Sequence, residues 1–235
     1  MPDAVTPPRD PLAGSPWSAP DTVAGFQQSP PNDVLMQFAA RVRGRHEHPV
    51  ALDIGCGAAR NAVPLAEAGW SVLGVDLSWP MLTAAADRAR AHTVSGRLSV
   101  VLASADSLPV AAASCDLIIA HGIWNLLPTT RQFRQAVAES ARVARPGASL
   151  FVFTFSRATI PEHVRPLEGE VYVYTQFSGR PQCFLTYAQL VDELGAVGFD
   201  PDTQVPVREY NRPTSPRLGG GPPVIWEAAF RRSVP

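Results

Sequence analysis

A short stretch near residue 55 carries the residue types of a nucleotide-binding turn. Residues 51–60 read ALDIGCGAAR, in which an apolar run containing Asp53 is followed by two glycines, Gly55 and Gly57. The apolar run predicts a buried parallel strand, the glycines predict a tight turn, and residues 58–68 predict the helix that follows. A strand, a glycine turn and a helix N-terminus together form a cradle for a nucleotide-like ligand.

Two further acidic residues follow later predicted strands at positions suited to an adenosine. Asp76 ends the run WSVLGVD, where a carboxylate can accept hydrogen bonds from both hydroxyls of a ribose. Asp106 ends the run LSVVLASAD, where it can accept from the exocyclic amine of adenine, with Ala105 beside the ring. Met81, in the helix beyond Asp76, provides apolar cover for the base, and Leu77 is expected to contact the cofactor next to it. These residues predict an adenosine site.

His121 ends the predicted strand CDLIIAHG at the same edge of the sheet. A histidine with a pKa near neutrality can take a proton from an acceptor, so we predict His121 as the catalytic base and as a cofactor contact. The alternative is a histidine that only shapes the pocket. Substrate contacts are predicted for Phe26, Trp124, Asn125, Arg157, Tyr172 and Tyr174. For Trp124 a place in the core is an equal alternative, and the face of the two tyrosines is alternatively solvated.

Composition and charge narrow the class of protein. Of the 235 residues, 46% are apolar and 17% are charged, as in an ordinary globular enzyme. The formal net charge of −1 gives no long-range attraction to nucleic acid or to an anionic membrane, so neither is expected as a partner. No apolar run approaches the roughly 20 residues that span a bilayer, and the N-terminal residues lack a secretory-signal pattern. We therefore expect a cytoplasmic protein that acts on a small molecule.

The three cysteines do not form a site. Cys56, Cys115 and Cys183 contain no CxxC pair and no metal-ligand spacing. An odd, widely spaced set is typical of a reducing compartment rather than of a disulfide framework. We therefore predict no metal site, and we assign Cys56, which lies between two glycines, to packing rather than to nucleophilic chemistry.

Strands and helices are predicted to alternate along the middle of the chain. Five apolar runs with helical patterns between most of them predict an α/β fold with a doubly wound, mostly parallel sheet. Two later runs, TQVPVREYN and PVIWEAAFRR, predict a C-terminal antiparallel hairpin, which brings the sheet to seven strands. In such a sheet, ligands bind beyond the carboxyl ends of the strands, where the candidate residues lie.

The chain divides into an arm and one domain. Residues 1–31 contain eight prolines, so they predict an arm that is either disordered or folds over the cofactor as a lid, with Phe26 near its end. Residues 32–235 predict a single domain. Within it, residues 168–185 predict a β-hairpin insertion near the substrate side.

Three stretches carry a resemblance to a known family. LDIGCGAARNAVPLAEAGWSVLGVDLS, ASADSLPVAAASCDLIIAHG and ARVARPGASLFVFT resemble, in order and spacing, the class I S-adenosylmethionine-dependent methyltransferases. The resemblance implies a Rossmann-like fold, S-adenosylmethionine as the cofactor, and methyl transfer to an O, N, S or C atom of a small molecule. It places Asp53, Gly55 and Gly57 at the methionine end of the cofactor, Asp76 at the ribose and Asp106 at the adenine. Residues 59–61 are also similar to the small-molecule branch that includes thiopurine and tellurite methyltransferases.

Two other functions stay open. A nicotinamide-dependent oxidoreductase needs a third glycine, G-x-G-x-x-G, but Arg60 occupies that position, and the closing hairpin also speaks against it. A catalytically silent adenosylmethionine-binding sensor or partner subunit would keep the same glycines and aspartates. An open acceptor pocket favours the enzyme and a filled one favours the binder. The sequence leaves the acceptor atom and the oligomeric state open.

Overall fold

Helices and strands alternate through the middle of the chain, as the apolar pattern predicts. A computed structural model describes residues 9–212 and 221–234. Its helices are α1 (Pro20–Gln28), α2 (Asp33–Arg43), α3 (Ala62–Glu67), α4 (Trp79–Ala91), α5 (Thr130–Val143) and α6 (Tyr187–Gly195). Its strands are β1 (Val50–Ile54), β2 (Ser71–Asp76), β3 (Leu98–Leu102), β4 (Cys115–His121), β5 (Ala144–Phe155), β6 (Val173–Tyr174), β7 (Gln182–Cys183), β8 (Phe199–Pro201), β9 (Arg208–Tyr210) and β10 (Ile225–Arg232). Among the helices described, none is long and apolar enough to cross a bilayer.

The central sheet has the order β3-β2-β1-β4-β5-β10-β8, and β9 also pairs with β10. Strands β1 to β5 are parallel, whereas β10 runs antiparallel to β5, β8 and β9. This confirms the predicted α/β class and the antiparallel C-terminal closure. The sheet contains eight strands rather than seven, because two short strands share the outer edge of β10.

Each face of the sheet is covered by its own set of helices. On one face, α2, α3 and α4 pack against residues such as Ala51, Leu117 and Phe151. On the other, α5, α6 and the β6–β7 hairpin pack against residues such as Leu52 and Ile118. Successive residues of a strand point to opposite faces, so the near-continuous apolar runs of the central strands are buried on both sides.

Three boundaries differ from the sequence prediction, each for a local reason. Helix α3 begins at Ala62 rather than at residue 58, because Ala59 adopts a left-handed backbone with φ of 59° and extends the glycine loop. Strand β5 begins at Ala144, because Ala144 pairs with Cys115 of β4 and the register resumes at Ser149 after an irregularity that contains Pro146 and Gly147. The predicted strand over residues 203–211 is reduced to β9, and β8 lies before it.

The N-terminal arm is ordered over its described part. A short 3-10 helix, Pro16–Ser18, precedes α1, and α1 packs against α4. We call residues 9–31 the strap. Residues 1–8 of the predicted arm lie outside the described residues.

Candidate functional site

The loop after β1 is held against β2 by its own backbone. The N–H groups of Gly55 and Cys56 donate to the Val75 carbonyl at 2.8 and 3.0 Å. Gly55 has φ of 70°, and a Cβ there would lie 2.8 Å from the Cβ of Ile123, so the position requires glycine. Gly57 has φ of 52°, and a Cβ there would be 3.4 Å from the ring of Phe26. The loop thus passes closely under two other segments.

Asp53 is a buried carboxylate whose charge is not fully satisfied by the protein. Its side chain is 2% exposed, and its Oδ2 has no hydrogen-bond partner among the described residues. Burial raises the pKa of Asp53 to about 7, while the nearby Arg60 guanidinium acts in the opposite direction. Burial also lowers the pKa of Arg60. A cationic group entering next to Asp53 would supply the missing partner.

Asp76 lies at the tip of β2 and binds the glycine loop. Its Oδ2 accepts from the Gly57 N–H at 2.9 Å, and its Oδ1 accepts from the Ser78 N–H at 2.8 Å. Burial raises the pKa of Asp76, and these backbone donors oppose the rise. Each carboxylate oxygen retains a lone pair for a further donor.

The remaining predicted cofactor residues border the same edge. Met81 is buried with Ala58 and Ala84 under the strap. Leu77 is half-buried beside Asp76, and Ala105 is buried at the end of the third strand. Asp106 is half-buried and accepts a hydrogen bond from the Ser104 hydroxyl.

His121 is enclosed by donors on both ring nitrogens. Arg60 Nη2 lies 3.1 Å from Nδ1, and Asn32 Nδ2 lies 3.2 Å from Nε2, while the ring stacks on Phe153 with centroids 4.2 Å apart. Burial, followed by the charge of Arg60, lowers the pKa of His121 to about 3. A neutral imidazole has a single lone pair, and guanidinium and amide nitrogens only donate, so one of these two donors occupies the lone pair whichever nitrogen carries it. This arrangement speaks against the predicted base and favours the alternative, a histidine that shapes the pocket.

The strap crosses the edge of the sheet that holds these residues. Asp10 Oδ1 accepts from the Trp79 N–H at 3.1 Å, and the Ser78 hydroxyl donates to the Trp17 carbonyl at 3.1 Å. Phe26 packs near Gly57 and Met81. Phe26 therefore lies at the glycine loop, on the cofactor side rather than at the predicted substrate position.

Four predicted substrate residues are buried in the core. Trp124 is fully buried, and Tyr172 is 1% exposed. Both side chains pack edge-on against Phe133. Asn125 and Tyr174 are 2% and 4% exposed. These four substrate assignments are corrected: the hairpin turns both of its tyrosines inward, so the predicted solvated or roofing face does not exist.

Arg157 shapes a groove rather than presenting a free charge. Its guanidinium donates to the backbone carbonyls of Ile160, Pro161, Glu162 and Val164, and it lies 4.9 Å from the Tyr174 ring centroid. The groove beside it has a volume of about 1330 Å³. Among the described residues it is bordered by Ser156, Arg157, Phe177, Glu209 and Trp226.

Cysteines and metal ligands form no second site in the described residues. Cys56, Cys115 and Cys183 are free and buried, and burial raises the pKa of the Cys56 thiol. No group of three or more His, Cys, Asp or Glu side chains within the described ranges is placed to hold a metal ion. The Cys56 sulfur fits against Gly74, where a Cβ would lie 2.7 Å from it, which agrees with a packing role.

Sequence reasoning missed a set of polar residues around His121. Arg60 was expected only as a misfit for a glycine, and no role was predicted for Asn32, Tyr210 or Glu227. Glu227 is 2% exposed and accepts hydrogen bonds from Asn32 and from Tyr210. Its place in an alternating strand, between Ile225 and Ala229 on one face, is the signal that could have found it.

Comparison with known proteins finds similarity to methyltransferases. Residues 52–152 match the family model described as "Methyltransferase domain". The chain is 45% identical over 101 residues to a ubiquinone/menaquinone biosynthesis C-methyltransferase UbiE of Syntrophotalea carbinolica, covering 43% of this chain and 38% of that protein. It is 31% identical over 168 residues to Methyltransferase GfsG of Streptomyces halstedii, covering 71% and 58%. It thus spans about two to three fifths of the length of these curated relatives.

Solved structures with a similar fold include a methyltransferase. The crystal structure of a Burkholderia thailandensis 1,6-didemethyltoxoflavin-N1-methyltransferase, with that substrate and S-adenosylhomocysteine bound, superposes with a TM-score of 0.62. The two chains are 21% identical, and the match covers 91% of this chain and 86% of the other. At this identity the likeness establishes the fold alone.

Proposed function

We propose that the chain is a class I S-adenosylmethionine-dependent methyltransferase and that it transfers a methyl group from S-adenosylmethionine to a small molecule. The observation that carries the proposal is the loop after β1. There, two glycines with positive φ, a buried carboxylate with an unpartnered oxygen and Asp76 meet at one edge of the sheet.

The residues present fit the cofactor. Asp53 would pair with the amino group of its methionine end, next to the loop that contains Gly55 and Gly57. Asp76 would bind the ribose hydroxyls, while Met81, Leu77, Ala105 and Asp106 would surround the adenine. The unpartnered Oδ2 of Asp53 supports this placement, since it lacks a donor within the described protein.

The cofactor supplies an electrophilic methyl group, so the protein's task is binding, orientation and exclusion of water. We propose that the strap performs the last of these as a lid, with Phe26 over the glycine loop. Arg60 donates toward His121 in the described structure, and its guanidinium is placed to hold an anionic group, such as a carboxylate, in the same cleft. His121 then forms a wall of the pocket.

The open groove favours an enzyme over a silent binder. Its volume of about 1330 Å³ accommodates a sizeable organic molecule, and its border combines aromatic with charged side chains. The names of the relatives describe a quinone C-methyltransferase and a toxoflavin N1-methyltransferase, which differ in the acceptor atom. We therefore propose an acceptor of small-molecule type and leave the atom among O, N, S and C. The narrower likeness to thiopurine and tellurite methyltransferases stays a prediction.

Calorimetric titration tests the proposal, with S-adenosylmethionine, S-adenosylhomocysteine and NAD as ligands. We expect binding of the first two and none of NAD. Asp76→Ala should weaken S-adenosylhomocysteine binding by about 2–4 kcal/mol, because two ribose hydroxyls lose charge-assisted hydrogen bonds. Asp87→Ala, a change to an exposed carboxylate on α4, is the matched control and should leave binding unchanged. Binding of NAD alone, or equal affinities of both variants, would overturn the assignment.

A further inference from the structure

A buried carboxylate on β10 lies beside His121 without a cationic partner. Glu227 is 2% exposed and forms no ion pair with an arginine or histidine in the described part of the chain. The register pairs His121 with Phe153 and Phe153 with Glu227, so these side chains share one face of the sheet. Burying a carboxylate without a counter-charge costs free energy, and such groups concentrate at functional sites.

Two neutral donors fix the position of this carboxylate. The Tyr210 hydroxyl donates to Oε1 at 2.7 Å, and Asn32 Nδ2 donates to Oε2 at 2.9 Å. The same amide nitrogen lies 3.2 Å from His121 Nε2, so Glu227 and His121 flank a single atom. The Asn32 amide cannot be reversed without loss, because its Oδ1 accepts from the Leu35 N–H at 2.8 Å and caps α2.

The direction of the Tyr210 hydrogen bond leaves its oxygen able to accept. A phenolic oxygen has two lone pairs when its proton is donated elsewhere. Arg208 pairs with Glu227 in the register of β9 and β10, and its side chain is exposed. The lone pairs of the Tyr210 oxygen can accept from a donor that enters the cleft. Tyr210 is half-buried, so a molecule can reach it, whereas both nitrogens of His121 already face donors.

We propose that Tyr210 takes the proton of the acceptor and passes its own proton to Glu227, an inference that rests on the methyl transfer proposed above. The acceptor's X–H bond breaks, its electron pair forms the bond to the methyl carbon, and the carbon–sulfur pair stays on sulfur as a neutral thioether. The acceptor proton moves to Tyr210 Oη as the Tyr210 proton moves to Glu227 Oε1. The negative charge of Glu227 and the positive charge of the sulfonium cancel, so the step balances. Tyr210 is the catalytic residue and Glu227 is its positioning residue.

Methyl transfer by purified variants tests this role. Tritiated-methyl S-adenosylmethionine is offered with a panel of phenols, alcohols, thiols and amines. We expect Tyr210→Phe and Glu227→Gln each to lower the transfer rate about 100-fold, as for loss of a positioned acid–base group. The affinity for S-adenosylhomocysteine should stay within about twofold, and Glu227→Asp should recover part of the rate. Asp87→Ala is the control, because Asp87 is an exposed carboxylate on α4 outside the proposed site.

The pH profile separates proton transfer from a structural effect. The titratable and charged groups facing Glu227 are Tyr210 and Arg208 on β9 and His121 on β4, with neutral Asn32 above. The pH dependence of the wild-type rate should differ from that of Glu227→Gln, because the variant has no carboxylate to receive the proton. Rates within threefold of wild type in both Tyr210→Phe and Glu227→Gln would overturn the proposal.

A spectroscopic measurement tests the hydrogen bond between Tyr210 and Glu227 without any methyl acceptor present. The chain has four tyrosines, so ¹³Cζ-labelled tyrosine gives four signals, and Tyr210→Phe identifies the one from Tyr210. Its chemical shift should change in Glu227→Gln and remain in Asp87→Ala. An unchanged shift in Glu227→Gln would overturn the pair. Failure of the proposed function would show separately, as wild-type protein that binds no S-adenosylmethionine.

Discussion

Gly55 and Gly57 lie in the same loop, but a Cβ atom added at each position would have different neighbours. At Gly55, a Cβ would lie 2.8 Å from the branched Cβ of Ile123, which cannot move without its backbone, and the φ of 70° adds strain. At Gly57, the nearest atom would be 3.4 Å away, so only the left-handed φ opposes the change. Ala59 adopts φ of 59° in the same loop, which shows that alanine is tolerated in this region of backbone space.

We therefore predict that Gly55→Ala lowers the free energy of unfolding by about 2–5 kcal/mol and Gly57→Ala by about 1–2 kcal/mol. Urea denaturation of the two variants and the wild type measures both values. Equal losses would mean that Ile123 relaxes freely and that the close approach does not constrain the loop.

Two buried residues with shifted pKa values should change the stability of the protein in opposite directions as pH rises. Asp53 has its pKa raised to about 7, so between pH 4 and 7 the folded chain holds a proton that the unfolded chain has lost, and stability falls as pH rises. His121 has its pKa lowered to about 3, so between pH 3 and 6.5 the unfolded chain binds the extra proton, and stability rises with pH.

Single substitutions should separate these slopes. Relative to wild type, the free energy of unfolding of Asp53→Asn should rise with pH from 4 to 7, because only the favourable slope of His121 remains. That of His121→Asn should fall over the same range relative to wild type. Denaturant titrations at four pH values measure the differences, and parallel curves for all three proteins would contradict the assignment.

The sequence alone indicated candidate site residues that are recognisable from their local pattern. It missed residues whose contacts depend on the tertiary fold. Asp53 and Asp76 follow apolar runs, and a carboxylate at a strand end is recognisable from the sequence alone. Asn32 and Glu227 lie 195 positions apart, and their contact depends on where α2 enters and on the register of β10. Trp124 has an aromatic side chain suited equally to a pocket or a core, and only packing against Phe133 decides between them.

At the scale of elements, the N-terminus of α2 joins the strap to the far side of the sheet. Asn32 caps the helix through Oδ1 and binds Glu227 through Nδ2, while its N–H donates to Asn61 Oδ1 at 3.0 Å. Ser and Asp cap helices about as well as Asn, so substitutions can keep the cap and change only the contact with Glu227.

We predict that Asn32→Ser costs about 1–2 kcal/mol, through the lost donor to a buried carboxylate. Asn32→Asp should cost more at pH 8, because it sets a second carboxylate against Glu227, and the excess should shrink at pH 5 as the pair takes up a proton. Urea denaturation of both variants at both pH values measures the four free energies of unfolding. If the two variants matched at pH 8, the side chain of residue 32 would point away from Glu227.

Element prediction succeeded where the period of the pattern is unambiguous. The central strands carry continuous apolar runs, and the later antiparallel pairing was expected from alternation. The start of β5 differs from the apolar pattern, because Ala144 pairs with β4 ahead of an irregularity that contains Pro146 and Gly147. The sequence also left open whether the N-terminal arm is ordered, since the eight prolines of residues 1–31 favour disorder unless the segment packs on a surface.

At the scale of the whole molecule, the proposed cofactor site is formed by segments that lie far apart in the sequence. The glycine loop belongs to β1, Asp76 to β2 and His121 to β4, and the strap covers them from the N-terminus. A ligand bound there contacts segments that are distant in sequence and separate on unfolding. It should therefore stabilise the native state as a unit, by RT ln(1 + [L]/Kd).

At S-adenosylhomocysteine concentrations of 100 times Kd, the stabilisation is about 2.7 kcal/mol, which raises Tm by about 5–10 °C for a chain of this size. Phe26→Ala should reduce the shift at the same ligand concentration, because the strap then covers the glycine loop less tightly and the ligand dissociates faster. Phe177→Ala, which removes an exposed ring of the groove, should keep the full shift. Scanning fluorimetry of the three proteins with and without ligand gives the comparison. An unreduced shift in Phe26→Ala would mean that the strap packs on the site without holding the ligand in it.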